Sequence, residues 1–125
     1  MDPIVTSTEL DRLTALMTAS LPAYLADLQR LVDIDCGSYT KVGVDEVGRW
    51  VAEAFRDLGA SVEIIPNVDH GDTVVGVLGS IGAGAGAATV ARAAEPDGSA
   101  LLLVGHMDTV FDPGTVAERP FRITD

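Results

Sequence analysis

His106 and Asp108 stand two positions apart in Val104-Gly105-His106-Met107-Asp108-Thr109-Val110, directly after the apolar run Leu101-Leu102-Leu103. In an extended chain, side chains two apart point to the same face. An imidazole and a carboxylate so placed, at the carboxyl end of a buried strand, occupy the edge where open α/β sheets build their sites. Neutral imidazole is the commonest metal ligand, and a neighbouring carboxylate can fix which ring nitrogen carries the proton. The chemistry available to this pair is zinc ligation by His106, with Asp108 orienting the ring. A purely structural reading stands beside it, a histidine hydrogen-bonded at a strand end. One histidine does not hold zinc. Catalytic sites use three protein ligands, sometimes shared between two metals, so further ligands must come from elsewhere.

The other reactive residue types are explained without chemistry. His70, in Asn67-Val68-Asp69-His70-Gly71-Asp72, could join Asp69 or Asp72 as further ligands, but the composition is that of a solvated turn. Cys36 is the single cysteine, so no internal disulfide and no Cys-x-x-Cys pair exist. It reads as a small buried thiol near a helix end rather than a nucleophile. Asp45 and Glu46 open a helix, where acidic side chains favour the dipole.

The elements that must position these residues follow from periodicity. Thr6 with Glu9 forms a possible capping box. Leu10, Leu13, Leu16 and Met17 then recur at helical spacing, a break or kink is expected near Pro22, and a second stripe (Leu21, Tyr24, Leu25, Leu28, Leu31, Val32) carries a second helix to about Ile34. Residues 35–40 are a loop. Val47, Trp50, Val51, Ala54, Phe55 and Leu58 give one apolar face and predict a helix over 44–58, with Trp50, Phe55 and Leu58 packed on a sheet. Gly59 stands where a left-handed cap belongs. Residues 61–66 and 73–78 are short β-branched strands, and 100–105 is the most buried strand. The Gly/Ala-rich stretch at 82–98 reads as a mobile insert. It is not a phosphate-binding loop, since no Lys-Ser or Lys-Thr follows. The order predicts an α/β fold, helices packed on a mixed sheet.

The chain's 125 residues suit one domain. The formal net charge of −11, from 8 basic and 19 acidic residues, repels phosphate backbones and anionic membranes and leaves divalent cations acceptable. Neither a nucleic-acid nor a membrane partner is expected. The N-terminus lacks the basic and apolar regions of a secretory signal, and a soluble, cytoplasmic product is expected.

The residues also resemble a known family. Gly105-His106-Met107-Asp108-Thr109-Val110 is similar to the H-x-D-x-V signature of the zinc metallopeptidases that include glutamate carboxypeptidase, acetylornithine deacetylase, succinyl-diaminopimelate desuccinylase and the aminoacylases. Residues 28–34 resemble that family's first helix, leading into a Gly-Ser loop (Gly37-Ser38). Residues 44–66 resemble its following helix and strand, Asp72-Thr73-Val74-Val75-Gly76 the strand before the signature, and Pro120-Phe121-Arg122 the step after it. The likeness runs over roughly 21–125 apart from the insert, nearest the carboxypeptidase G-like branch.

The resemblance implies a zinc-exopeptidase-like catalytic domain of which residues 1–125 form the N-terminal part. It implies that His106 is a zinc ligand and that Asp108 is the catalytic-site aspartate that hydrogen-bonds it. Two Zn2+ ions per intact site would activate water and polarise an amide carbonyl in a peptide or N-acyl amino acid. The bridging aspartate, the general-base glutamate and the remaining ligands would follow beyond Asp125, so the 125-residue chain alone is expected to be inactive. A homodimer of the full-length protein is compatible with the family. The alternative is a non-catalytic α/β module that binds a partner chain through its sheet edge.

Overall fold

The computed structural model describes residues 6–78 and 101–124. They fall into two compact units, one holding the first helix with residues 120–124, the other spanning 34–119. The expected mobile insert at 82–98 lies outside the described residues.

The first unit is built on α1, Ser7–Val32. Its start is dictated locally. The Glu9 N–H donates to Thr6 Oγ1 (3.3 Å), and the Thr6 N–H donates to Glu9 Oε2 (2.8 Å), the reciprocal pair of a capping box. The expected break at Pro22 is absent: Pro22 lies inside one continuous helix. Proline removes one backbone bond and crowds the carbonyl four residues back. Here that loss is outweighed by helix formers on both sides. The hydroxyls of Thr14, Thr18 and Ser20 bond back to the carbonyls of Leu10, Thr14 and Leu16, which satisfies those side chains without replacing the bond that Pro22 lacks. The helix ends two residues before the expected Ile34, with the Asp33 N–H donating to the Gln29 carbonyl at 2.9 Å. None of its residues is buried.

The second unit carries α2 (Lys41–Asp57), β1 (Ser61–Ile65), β2 (Thr73–Val77) and the single turn α3 (Thr115–Glu118). Helix α2 begins three residues before the expected Val44 and packs on the antiparallel β1–β2 hairpin, whose register runs from Ser61 opposite Val77 to Ile65 opposite Thr73. The Phe55 ring sits directly over Gly76. Gly59 takes φ 82°, the left-handed turn-off expected of it. Cys36, Val44, Val47 and Ala52 form the buried apolar core. Trp50 is half-buried. Leu58 does not join the packed stripe: as the C-cap it leaves the helical face and is 68% exposed.

Helix α2 packed on the β1–β2 sheet makes this an α/β fold. The ladder is antiparallel, and parallel pairing occurs only at an isolated bridge between Gly37 and Thr109 among the described residues. The expected strand at 100–105 is not formed over its described part. Residues 101–108 have no regular structure, and Leu101, Leu103 and Val104 are more than four-fifths exposed. An apolar run has strand character only against a neighbouring strand and a covering layer. Among the described residues neither reaches it. No helix among them is long and apolar enough to cross a membrane.

Candidate functional site

The site is assembled from two loops that lie outside the helices and strands. The first is 35–40, between α1 and α2. Its return is closed by the Thr40 N–H on the Gly37 carbonyl (2.7 Å) and by the amides of Gly43 and Val44 on the Thr40 carbonyl (3.0 and 3.1 Å). It lies hard against the first turn of α2. A Cβ on Gly43 would run into the Asp35 carbonyl oxygen and stand 2.8 Å from its carbon and 3.1 Å from Cys36 Cα. Only a residue without a side chain permits that approach.

The second loop is 106–114. The Thr109 N–H donates to the Cys36 carbonyl (2.9 Å) and the Ser38 N–H donates to the Thr109 carbonyl (3.0 Å), so the loops zip together in a two-bond parallel bridge. The Gly114 N–H donates to Asp35 Oδ2 at the far end.

Across this bridge Ser38 Oγ donates to Asp108 Oδ2 at 2.5 Å, with the Thr109 carbonyl 3.1 Å away. The other carboxylate oxygen, Asp108 Oδ1, lies 3.3 Å from His106 Nδ1, and the Asp108 carbonyl lies 2.9 Å from the same nitrogen. His106 and Asp108 therefore share a side of the chain although no strand places them there. Both groups facing Nδ1 are acceptors, so in the neutral ring they favour the tautomer with the proton on Nδ1 and the lone pair on Nε2. The His106 side chain is 82% exposed. The Ser38 hydroxyl, with smaller help from the Asp108 amide and the His106 ring, holds the Asp108 carboxyl below its usual range.

His70 does not approach this pair. The Asn67 side-chain oxygen accepts from the amides of Asp69 and His70 (3.0 and 3.1 Å), the turn the composition predicts. Asp72 is engaged elsewhere: Lys41 Nζ reaches its Oδ1 at 2.6 Å and Asp45 Oδ2 at 2.9 Å. Asp45 Oδ1 also accepts the Asp72 N–H at 2.8 Å. This clamp fastens the hairpin loop to α2. Asp45 thus lies beyond the first turn and serves the clamp rather than the helix dipole. The lysine and the amides hold both carboxyls below the ordinary range, and the carboxylates hold Lys41 above its own. Cys36 is 6% exposed, the buried thiol expected, and burial pushes its pKa up.

Among the described residues no group of three or more His, Cys, Asp or Glu side chains is placed to hold a metal ion. A hollow beside the clamp, lined by Asp45, Gly48, Arg49, Ile64, Asp72 and Val74, has a volume of about 80 Å³, well short of the roughly 300–1,000 Å³ of small-molecule pockets. Ser38 is the residue that sequence reasoning gave no role. The one signal for it is its place in the Gly-Ser loop, Gly37-Ser38, of the family resemblance.

Fold and site together define an α/β chain carrying an exposed, carboxylate-oriented histidine. Set against known proteins, the chain is similar to Carboxypeptidase G2 of Pseudomonas sp. (strain RS-16), 30% identical over 108 residues, which is 85% of this chain and 22% of that protein. The chain thus spans about a fifth of the length of the curated relative it matches. No protein-family model matches it. No solved structure matches it significantly.

Proposed function

We propose that this chain is the N-terminal part of a zinc-dependent hydrolase of amide bonds in peptides or N-acyl amino acids, of the glutamate carboxypeptidase kind. In this reading His106 is a metal ligand and Asp108 is the carboxylate that orients it. The observation that carries the reading is the His106 ring itself. Its Nδ1 is turned toward Asp108 and its Nε2 is left open, the arrangement in which metal-binding histidines are held. The similarity to Carboxypeptidase G2 supports the same reading.

The donor set fits zinc as one ligand with its supporting shell, and no further. A bound metal would supply charge to polarise the scissile carbonyl and acidify water. This chain's residues do the positioning. Asp108 keeps the proton on Nδ1, Ser38 and the Gly37–Thr109 bridge hold Asp108, and His106 offers Nε2. The remaining ligands and the proton-transferring carboxylate belong to other parts of the intact protein. The bare run Leu101–Leu102–Leu103–Val104 fits a strand whose neighbours come from the same source.

That bare run also favours a second reading, a non-catalytic module that pairs it with a partner chain. The coding sequence beyond Asp125 separates the two. Continuation into a segment rich in Asp, Glu and His supports the hydrolase, and a stop codon supports the module. The functional test is metal content and hydrolysis of an acyl-glutamate by the intact protein and by the 125-residue chain. The chain alone should turn over nothing measurable, since catalytic zinc needs three protein ligands. In the intact protein His106→Ala should lower metal content, and Asp108→Ala should cost about 10–100-fold in metal affinity or activity. Zinc-dependent turnover by the isolated chain, or unchanged zinc content in His106→Ala, would overturn the assignment.

A further inference from the structure

A carboxylate two residues beyond a histidine is not held by that spacing alone. It can rotate, and its two oxygens are equivalent. In this chain the choice is made by a residue 70 positions earlier. Ser38 Oγ takes one oxygen of Asp108 at 2.5 Å, which leaves the other 3.3 Å from His106 Nδ1. The serine is itself fixed, because its amide donates to the Thr109 carbonyl at 3.0 Å while the Thr109 amide donates to the Cys36 carbonyl at 2.9 Å. The Asp108 carbonyl, 2.9 Å from Nδ1, is a second acceptor facing the ring. Of the two, the carboxylate is the one whose orientation depends on a side chain from the other loop.

We infer that Ser38 is a positioning residue for His106: acting through Asp108, it selects the tautomer with the proton on Nδ1 and so presents Nε2 to a cation. The inference rests on the reading of His106 as a metal ligand, but its test does not require metal or turnover. An exposed neutral imidazole in water otherwise samples both tautomers. Selection is an equilibrium that an exposed hydrogen bond shifts by about two- to fivefold.

The readout is the pair of ring-nitrogen shifts of His106 in ¹⁵N long-range correlation spectra, recorded well above the ordinary histidine pKa of about 6.5. His70 serves as the internal reference. It is the other of the two histidines in the chain, exposed in a turn held by Asn67. In the native chain His106 should favour Nδ1–H relative to His70. Ser38→Ala should return the His106 ratio by about two- to fivefold toward that of His70, while the backbone amides at positions 109 and 38 keep their bridge shifts. Ser38→Thr, which retains the hydroxyl, should keep the native ratio. It guards against the case in which loss of the hydroxyl simply unseats the loop. A native His106 ratio equal to that of His70 would overturn the inference, as would Ser38→Ala with an unchanged ratio or Ser38→Thr that behaves like Ser38→Ala. These outcomes are independent of whether the intact protein hydrolyses an acyl-glutamate, so failure of the functional reading and failure of this one are told apart.

Discussion

Gly43→Ala and Gly48→Ala are the same substitution in the same helix, and the structure assigns them opposite signs. Helix propensity alone makes both favourable, by up to about 1 kcal/mol in a helix interior. At Gly48 a Cβ would find Val74 Cγ2 at 3.5 Å and Met107 Cε at 3.6 Å, ordinary contact distances, so the propensity gain stands. At Gly43 the same atom would run into the Asp35 carbonyl, with its carbon at 2.8 Å. That obstacle is backbone and cannot rotate away. Overpacking of this kind costs about 1–3 kcal/mol. Near the helix start the propensity gain is smaller, so Gly43→Ala should be destabilising by roughly 1–2 kcal/mol net. The assay is urea unfolding followed through Trp50, the single tryptophan, which lies on α2 itself. For a urea slope of about 1–2 kcal/mol/M, the Gly43→Ala midpoint should fall by roughly 0.5–2 M, and that of Gly48→Ala should hold or rise. Equal stabilisation by both substitutions would show that loop 35–38 does not lie against α2 in solution. The geometry proposed for Ser38 would then lose its footing.

Two further outcomes follow from the electrostatics. The Lys41–Asp45–Asp72 clamp contains carboxyls held below their ordinary range and a lysine held above its own. Its contribution should be complete from the ordinary carboxylate pKa of about 3.9 up to the ordinary lysine value of about 10.4. It is lost as pH falls through the lowered carboxyl values or rises through the raised lysine value. The shift of the Asp72 amide proton, which donates to Asp45, should stay flat between these limits, and Lys41→Met should abolish the alkaline limb. A step near neutral pH would contradict the clamp. The Cys36 thiol, raised by burial, should alkylate more slowly in the folded chain than in urea at a pH near the ordinary thiol value. Its neutral form favours the fold below the unfolded pKa, and that contribution is lost as pH rises through the folded one. Equal alkylation rates would place the thiol in solvent.

What was legible in the sequence was what is decided within a few residues. The Thr6–Glu9 box, the α2 stripe, the turn-off at Gly59 and the Asn67 turn all involve partners close along the chain, and each is present. Pro22 shows the limit of a local rule. The proline does cost a backbone bond, but whether a helix ends there depends on the sum over the residues around it. The run at 101–104 fails for the opposite reason. Its composition states a preference for a sheet, while the sheet itself must come from chain that is distant in sequence. Local spacing assigns Asp45 to a helix dipole because its partner Asp72 lies 27 positions on, beyond any periodicity.

The His106–Asp108 pair divides along the same line, and the division bears on how such a site is built. Two things must be right for an imidazole to ligate: where its backbone stands and which nitrogen it turns outward. The first depends on residues 101–105, which have no strand neighbours among the described residues. The second depends on Asp108 and on Ser38, both already in contact through the Gly37–Thr109 bridge. Strand pairing and ring orientation are therefore separable in this chain. The hydrogen bonds that orient its ring run to the residues just after it and to loop 35–40, which is itself seated on the first turn of α2, so they stand without any strand at 101–105. If His106 is the ligand proposed above, its ring would be oriented before any metal arrives, and less ordering would be left for the moment of capture.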